Sequence, residues 1–166
     1  MNIILISVLV IVLVIVIAIL FTSVAIIHTG EVGIVERLGK YVATLEPGFH
    51  VVPPFIYRIT EIVNMKQIPL KVDEQEVITK DNVVVRISET LKYHITDVNA
   101  YVYQNKDSVL SMVQDTRANL RGIIGNMDLN DVLNGTETIN QTLFQQIAET
   151  TAGYGLNVDR VNIDSI

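Results

Sequence analysis

The sequence predicts an α+β fold, a curved and mainly antiparallel sheet with helices packed on it, behind an N-terminal transmembrane helix. Three observations predict it. Residues 3–21 (IILISVLVIVLVIVIAILF) hold seventeen Ile, Leu, Val or Phe with only Ser7 and Ala18 between them. Residues 31–95 run as apolar segments of period two between turn residues. From Asp97 the apolar spacing lengthens to three and four, then returns to period two near Leu156.

The N-terminal tract is set apart by charge. All 30 charged residues, 12 basic and 18 acidic, lie from Glu31 onward. The uncharged run extends to Ile27, about 37 Å if helical, against a hydrocarbon core of about 30 Å. Its β-branched residues favour a strand in water, but in lipid only a helix satisfies its own backbone. Each central Ile, Leu or Val contributes about −0.3 to −0.6 kcal/mol to insertion. Ser23-Val24-Ala25 has the small-x-small pattern of a cleavage site, yet no Lys or Arg precedes the apolar run as a signal peptide requires. Residues 1–27 are therefore expected to form a single-pass anchor in the cell membrane. Arg37 and Lys40 follow it, which favours the cytoplasmic side for the rest of the chain.

Residues 28–166 amount to one domain. They carry the whole net charge of −6 without a Lys/Arg cluster, which excludes the footprint of a nucleic-acid binder. The chain has no cysteine, which excludes disulfides and thiolate zinc sites. Strands are expected at 31–38, 41–44, 49–52, 57–63 and 75–78, with tight turns at Gly39-Lys40 and Pro47-Gly48. The clearest strand is 83–95, with Val83, Val85, Ile87, Leu91, Tyr93 and Ile95 on one parity. Glu89 interrupts that face. A buried, unpaired carboxylate is costly, so Glu89 is expected at an edge, at a bulge or opposite a cation.

Asp97 is placed to cap a short helical turn to Tyr103, and Asp107 or Ser108 a longer helix carrying Val109, Val113, Thr116, Leu120 and Ile124. Residues 127–133 (MDLNDVL) make a further turn, and Asn134 and Glu137 have the spacing of a capping box. The helix behind them is expected to bury Ile139, Leu143, Ile147 and Phe144, stopping near Gly153. The closing segment LNVDRVNIDSI switches parity near Asp159-Arg160, as a β-bulge would.

No catalytic constellation is legible. His28, His50 and His94 are dispersed, and no metalloprotease, nucleophile-elbow or phosphate-loop spacing occurs. The acids of DEQE (73–76) lack the alternating ligands of a calcium loop. Arg117 and Arg121 are expected to pair with neighbouring acids such as Asp115. Asn134-Gly-Thr and Asn140-Gln-Thr match glycosylation sequons but fall on a helix cap and a helix face. Catalytic, cofactor and metal residues are therefore expected to be none.

After the apolar tract come GEVGIVERLGKY, LEPGFHVVPPFIYRI, ITKDNVVVRISETLKYHITDVNAYVY, TRANLRGIIGNMDLNDVLNGTETIN and YGLNVDRVNI, in that order. This series resembles the stomatin/prohibitin family, the SPFH or band 7 domain, and most nearly its bacterial stomatin-like members. The resemblance covers essentially the whole chain. Glu89 stands where the family usually has a small apolar residue, Tyr154 where Trp is common, and Asn162 and Ser165 where acids are usual. The family's C-terminal coiled coil is absent from residues 28–166.

The resemblance implies a non-enzymatic scaffold without a cofactor, which homo-oligomerises into rings or cages, organises membrane microdomains and regulates membrane proteins such as proteases. Its expected partners are membrane lipid, further copies of itself and a membrane-embedded protease or other membrane protein, with no nucleic acid. It also implies that the segment matching residues 45–59 lies against the bilayer, through Pro47, Phe49, Val51, Val52, Pro53, Pro54 and Phe55. Two other readings remain: these residues as an ordinary turn and two strands, and an anchored adaptor that binds one protein partner through a sheet edge without forming rings.

Overall fold

The computed structural model describes residues 2–165, except the side chains of residues 2–6, 16 and 18–21. The chain forms two compact units, Met1–Met65 and Lys66–Ile166.

Unit 1 begins with helix α1 (Asn2–Thr22). Its side chains from 7 to 15 are exposed. Among the described residues, no helix is long and apolar enough to cross a membrane. The helix also stops five residues short of the expected Ile27. Val24–Ile27 is strand β1, paired antiparallel with β4 (Gly48–Val51), with Val24 opposite Val51 and Ile26 opposite Phe49.

A second sheet, in the order β3-β2-β5, is made of β2 (Glu31–Arg37), β3 (Lys40–Leu45) and β5 (Tyr57–Asn64), all antiparallel. The β2–β3 turn is Leu38-Gly39, one residue earlier than expected. Both residues have positive φ, 52° and 83°, the geometry whose twist suits a two-residue hairpin. The core of this unit is Ile27, Ile34, Val35 and Val63.

Unit 2 holds the third sheet, β6-β7-β8, from β6 (Ile68–Ile78), β7 (Val84–Ile95) and β8 (Leu156–Ser165). The fold is thus α+β with antiparallel sheets and helices, but it has three small sheets where the sequence suggested one. β6 starts seven residues before the expected Gln75. Pro69 hides that start, and it is tolerated because β6 is an outer strand.

Helices α2 (Val98–Tyr103), α3 (Ser108–Gly125), α4 (Leu129–Asn134) and α5 (Thr136–Ala152) lie between β7 and β8 in sequence. Asp97 accepts from the Asn99 and Ala100 amides at 2.9 and 3.0 Å, and Asp107 from Leu110 at 2.9 Å, so both cap as expected. The capping box at Asn134 does not form. Asn134 is the last residue of α4 and donates to the Asn130 carbonyl, while Gly135 occupies the α5 cap.

α3 buries Ser108, Met112, Thr116, Leu120 and Ile124, a strict four-residue stripe that leaves Val109 and Val113 only half-buried. α5 buries Ile139, Leu143 and Ile147, as its spacing predicts, with Phe144 half-buried. α3 packs on β6 and α5, and α5 packs on β8. The β6–β8 sheet supplies the facing core: Val72, Val77, Ile87, Leu91, Tyr93, Ile95, Leu156, Val158 and Val161. The β7–β8 register skips Asp159, which is the bulge read from the parity switch.

Candidate functional site

An antiparallel pair puts directly opposed residues on one face. In the β1–β4 ribbon that rule groups Val24 with Val51 and Ile26 with Phe49. All four are exposed, Ile26 at 63% and Phe49 at 66%. The opposite face carries Ile27, which is buried, and Ala25 and His50, which are half-buried. The ribbon therefore spends one face on the unit's own packing and leaves the other apolar and uncovered.

The ribbon is tied to the end of α1. Val52 donates its amide to the Ser23 carbonyl at 2.6 Å, and the His50 ring bonds the Glu46 carbonyl at 2.7 Å. Pro53 to Ile56 then form a tight turn closed by the Tyr57 amide on the Pro53 carbonyl at 3.1 Å. At its tip Phe55 is 77% exposed and Ile56 half exposed. A cleft joins this turn to the Leu38-Gly39 hairpin tip, with Glu36 and Arg58 as its charged walls. Leu38 is 85% exposed at positive φ, an unfavourable place for a large apolar residue in water. A second, apolar hollow is bounded by Val35, Val42, Leu45, Val51, Val52 and Pro53.

Of the residues expected to touch lipid, Pro47, Phe49, Val51, Pro53, Pro54 and Phe55 are exposed, and Val52 is half-buried. Phe49 and Val51 share one strand face, and Pro54 and Phe55 share the tip. Sequence reasoning missed Val24 and Ile26, because they continue an apolar run already assigned to a helix. It also missed Leu38 and Ile56. Leu38 was detectable as the lone apolar residue beside Gly39 in a turn.

The remaining candidates resolve into structural roles. His94 Nδ1 meets Asp159 Oδ2 at 2.9 Å across β7 and β8. Glu76 and Glu74 face Arg86 at 2.9 and 3.8 Å. Arg117 does not pair with Asp115. Its guanidinium donates to the Asp73 carbonyl at 3.1 Å, and Asp115 takes the Tyr154 hydroxyl at 2.7 Å, which pushes that hydroxyl's pKa up. Asn140 of the second sequon accepts the Ile163 amide at 3.1 Å. Among the described residues, no group of three acids or histidines is arranged to hold a metal.

Residues 25–166 match the SPFH domain / Band 7 family. A stomatin homologue of Pyrococcus horikoshii is 31% identical over 147 residues, 89% of this chain and 55% of its own length. One of Pyrococcus abyssi is likewise 31% identical, over 89% of this chain and 54% of its own. An uncharacterised protein of Methanothermobacter thermautotrophicus is 40% identical over 146 residues, 88% of this chain. The chain spans about half the length of these relatives, 46% in the last case. The exposed ribbon and the turn beside it lie within the matched region, and the chain belongs to the SPFH domain / Band 7 family.

Proposed function

We propose that this protein is a membrane-anchored scaffold, not an enzyme, whose copies assemble side by side into rings or cages that organise a patch of membrane and regulate membrane proteins such as proteases. The observation that carries the reading is an adjacency in the chain: a 21-residue helix is followed after Ser23 by a ribbon with an uncovered apolar face. Family membership over residues 25–166 supports it, since stomatin homologues are among the relatives.

In this reading α1 spans the bilayer. The support for that span is the sequence, in which residues 3–21 hold no charge and only Ser7 and Ala18 among seventeen Ile, Leu, Val or Phe. Val24, Ile26, Phe49 and Val51 then contact lipid, as do Pro47, Val52, Pro53, Pro54 and Phe55. Burying one large apolar side chain contributes about 1.5–3 kcal/mol, so two exposed phenylalanines and an isoleucine suffice to hold a domain against a surface. The domain lies on the cytoplasmic side.

Crosslinking in intact membranes tests the assembly. A ladder of homomeric bands is expected. A single heteromeric band would replace the scaffold with an adaptor that binds one partner, and a monomer at all crosslinker concentrations would overturn both.

A further inference from the structure

Glu89 lies on β7, the middle strand of the unit 2 sheet, and is 1% exposed. Neither carboxylate oxygen has a hydrogen-bond partner, and two other buried atoms, Gln75 Oε1 and Arg117 Nε, also lack one. β6, which carries Gln75, pairs with β7 and packs on α3, which carries Arg117. Gln75 stands opposite Ile87, the same-face neighbour of Glu89, and its Nε2 donates to the Arg117 carbonyl at 3.5 Å. The charge of Arg117 acts on Glu89.

The strands are distorted on both sides of this point. β6 passes from Val72 opposite Glu89 to Gln75 opposite Ile87, so Asp73 and Glu74 together face one residue. β8 passes from Ile163 opposite Glu89 to Ser165 opposite Ser88, leaving Asp164 as an extra residue. The Arg117 guanidinium reaches the β6 bulge, donating to the Asp73 carbonyl at 3.1 Å and standing 3.8 Å from its carboxylate.

The unpartnered atoms are complementary in two ways. A protonated Glu89 has an O–H to donate, and Gln75 Oε1 is an acceptor without a donor. An ionised Glu89 only accepts, and Arg117 Nε–H is a donor without an acceptor. We propose that Glu89, Gln75 and Arg117 form a buried proton-binding site that controls how Arg117 holds the β6 bulge at Asp73 and Glu74. With the proton bound, Glu89 donates to Gln75 and Arg117 stays on Asp73. When the proton leaves to water, the guanidinium turns to Glu89 and the bulge on this outer strand is released.

The surroundings place the transition near neutrality. Burial, the largest influence, raises the Glu89 pKa to about 7, with Arg117 on α3 opposing and Asp164 on β8 adding to the rise. The other charged groups of the packed elements are engaged or exposed. On β6, Asp73 faces Arg117 while Glu74 and Glu76 face Arg86; Asp115 of α3 holds Tyr154; Asp159 of β8 holds His94; Lys71 of β6, Arg121 of α3, Arg160 of β8 and Glu137 and Glu149 of α5 are exposed.

The test uses the full 166-residue chain in detergent micelles, following the Glu89 carboxyl carbon and the Arg117 Nε by NMR and amide exchange at residues 73–75 between pH 5.5 and 8.5. The Glu89 midpoint should lie near 7, the Arg117 Nε resonance should move with it, and amide protection at 73–75 should fall about tenfold across it. Glu89→Gln should keep the high protection at both ends. A Glu89 midpoint near 4.5, an Arg117 resonance that does not follow, or the same fall in Glu89→Gln overturns the proposal. Should that variant fail to fold, the wild-type titration decides alone, because the three midpoints must coincide.

Discussion

Glu89 has a measurable effect on stability whatever its further role. Its carboxyl titrates near 7 in the folded chain, against 4.5 for the ordinary group. The folded state therefore binds the proton more tightly than the unfolded one. The associated stability is fully present below about pH 4.5, falls as pH rises, and is gone above about 7, a loss on the order of 3 kcal/mol. Urea unfolding of the wild type should show that decline, and Glu89→Gln should flatten it; equal slopes would mean that burial does not perturb the carboxyl. The sequence showed that this residue needed a bulge or a cation, because a carboxylate broke an otherwise apolar parity. It could not show that both flanking strands bulge, since that register depends on Asp73, Glu74 and Asp164 in segments far from Glu89 in the chain. Gly155 is a second residue-scale test. At φ 73° a Cβ added there would collide with the Asp97 carbonyl oxygen. Gly155→Ala should destabilise unit 2 by at least about 2 kcal/mol in the same assay.

Elements of uniform period were legible and those at a change of environment were not. β7 and α5 follow from parity or helical spacing, and α3 does from Thr116 onward, because one of their faces meets a core and the other water. β1 was hidden because its Val24 to Ile27 continues the apolar composition of α1, and composition does not mark where a helix stops and a strand begins. The structural reason for the stop is pairing: β4 satisfies the β1 backbone. The uncovered face of that ribbon makes a sharp prediction. Phe49→Asp should change the unfolding free energy by less than about 0.5 kcal/mol, since Phe49 contributes little to the core, whereas Ile34→Ala, at a fully buried position, should cost about 2–5 kcal/mol. A large loss in Phe49→Asp, measured by denaturant titration, would mean that the face is covered within the protein. Removing the α3 cap by Asp107→Ala should cost about 1 kcal/mol by the same method.

At the scale of the whole molecule, the proposed membrane scaffold requires the exposed Phe49 and Phe55 of unit 1 to face lipid. The chain contains no tryptophan, so one introduced indole reports on its own surroundings. The most direct measurement is fluorescence quenching by brominated lipid in vesicles carrying the full chain, with single substitutions Phe49→Trp, Phe55→Trp and, as a reference on an exposed position of α3, Leu110→Trp. Strong quenching is expected at positions 49 and 55 and little at 110 if the proposed bilayer contact is correct. Equal, weak quenching at all three would contradict it.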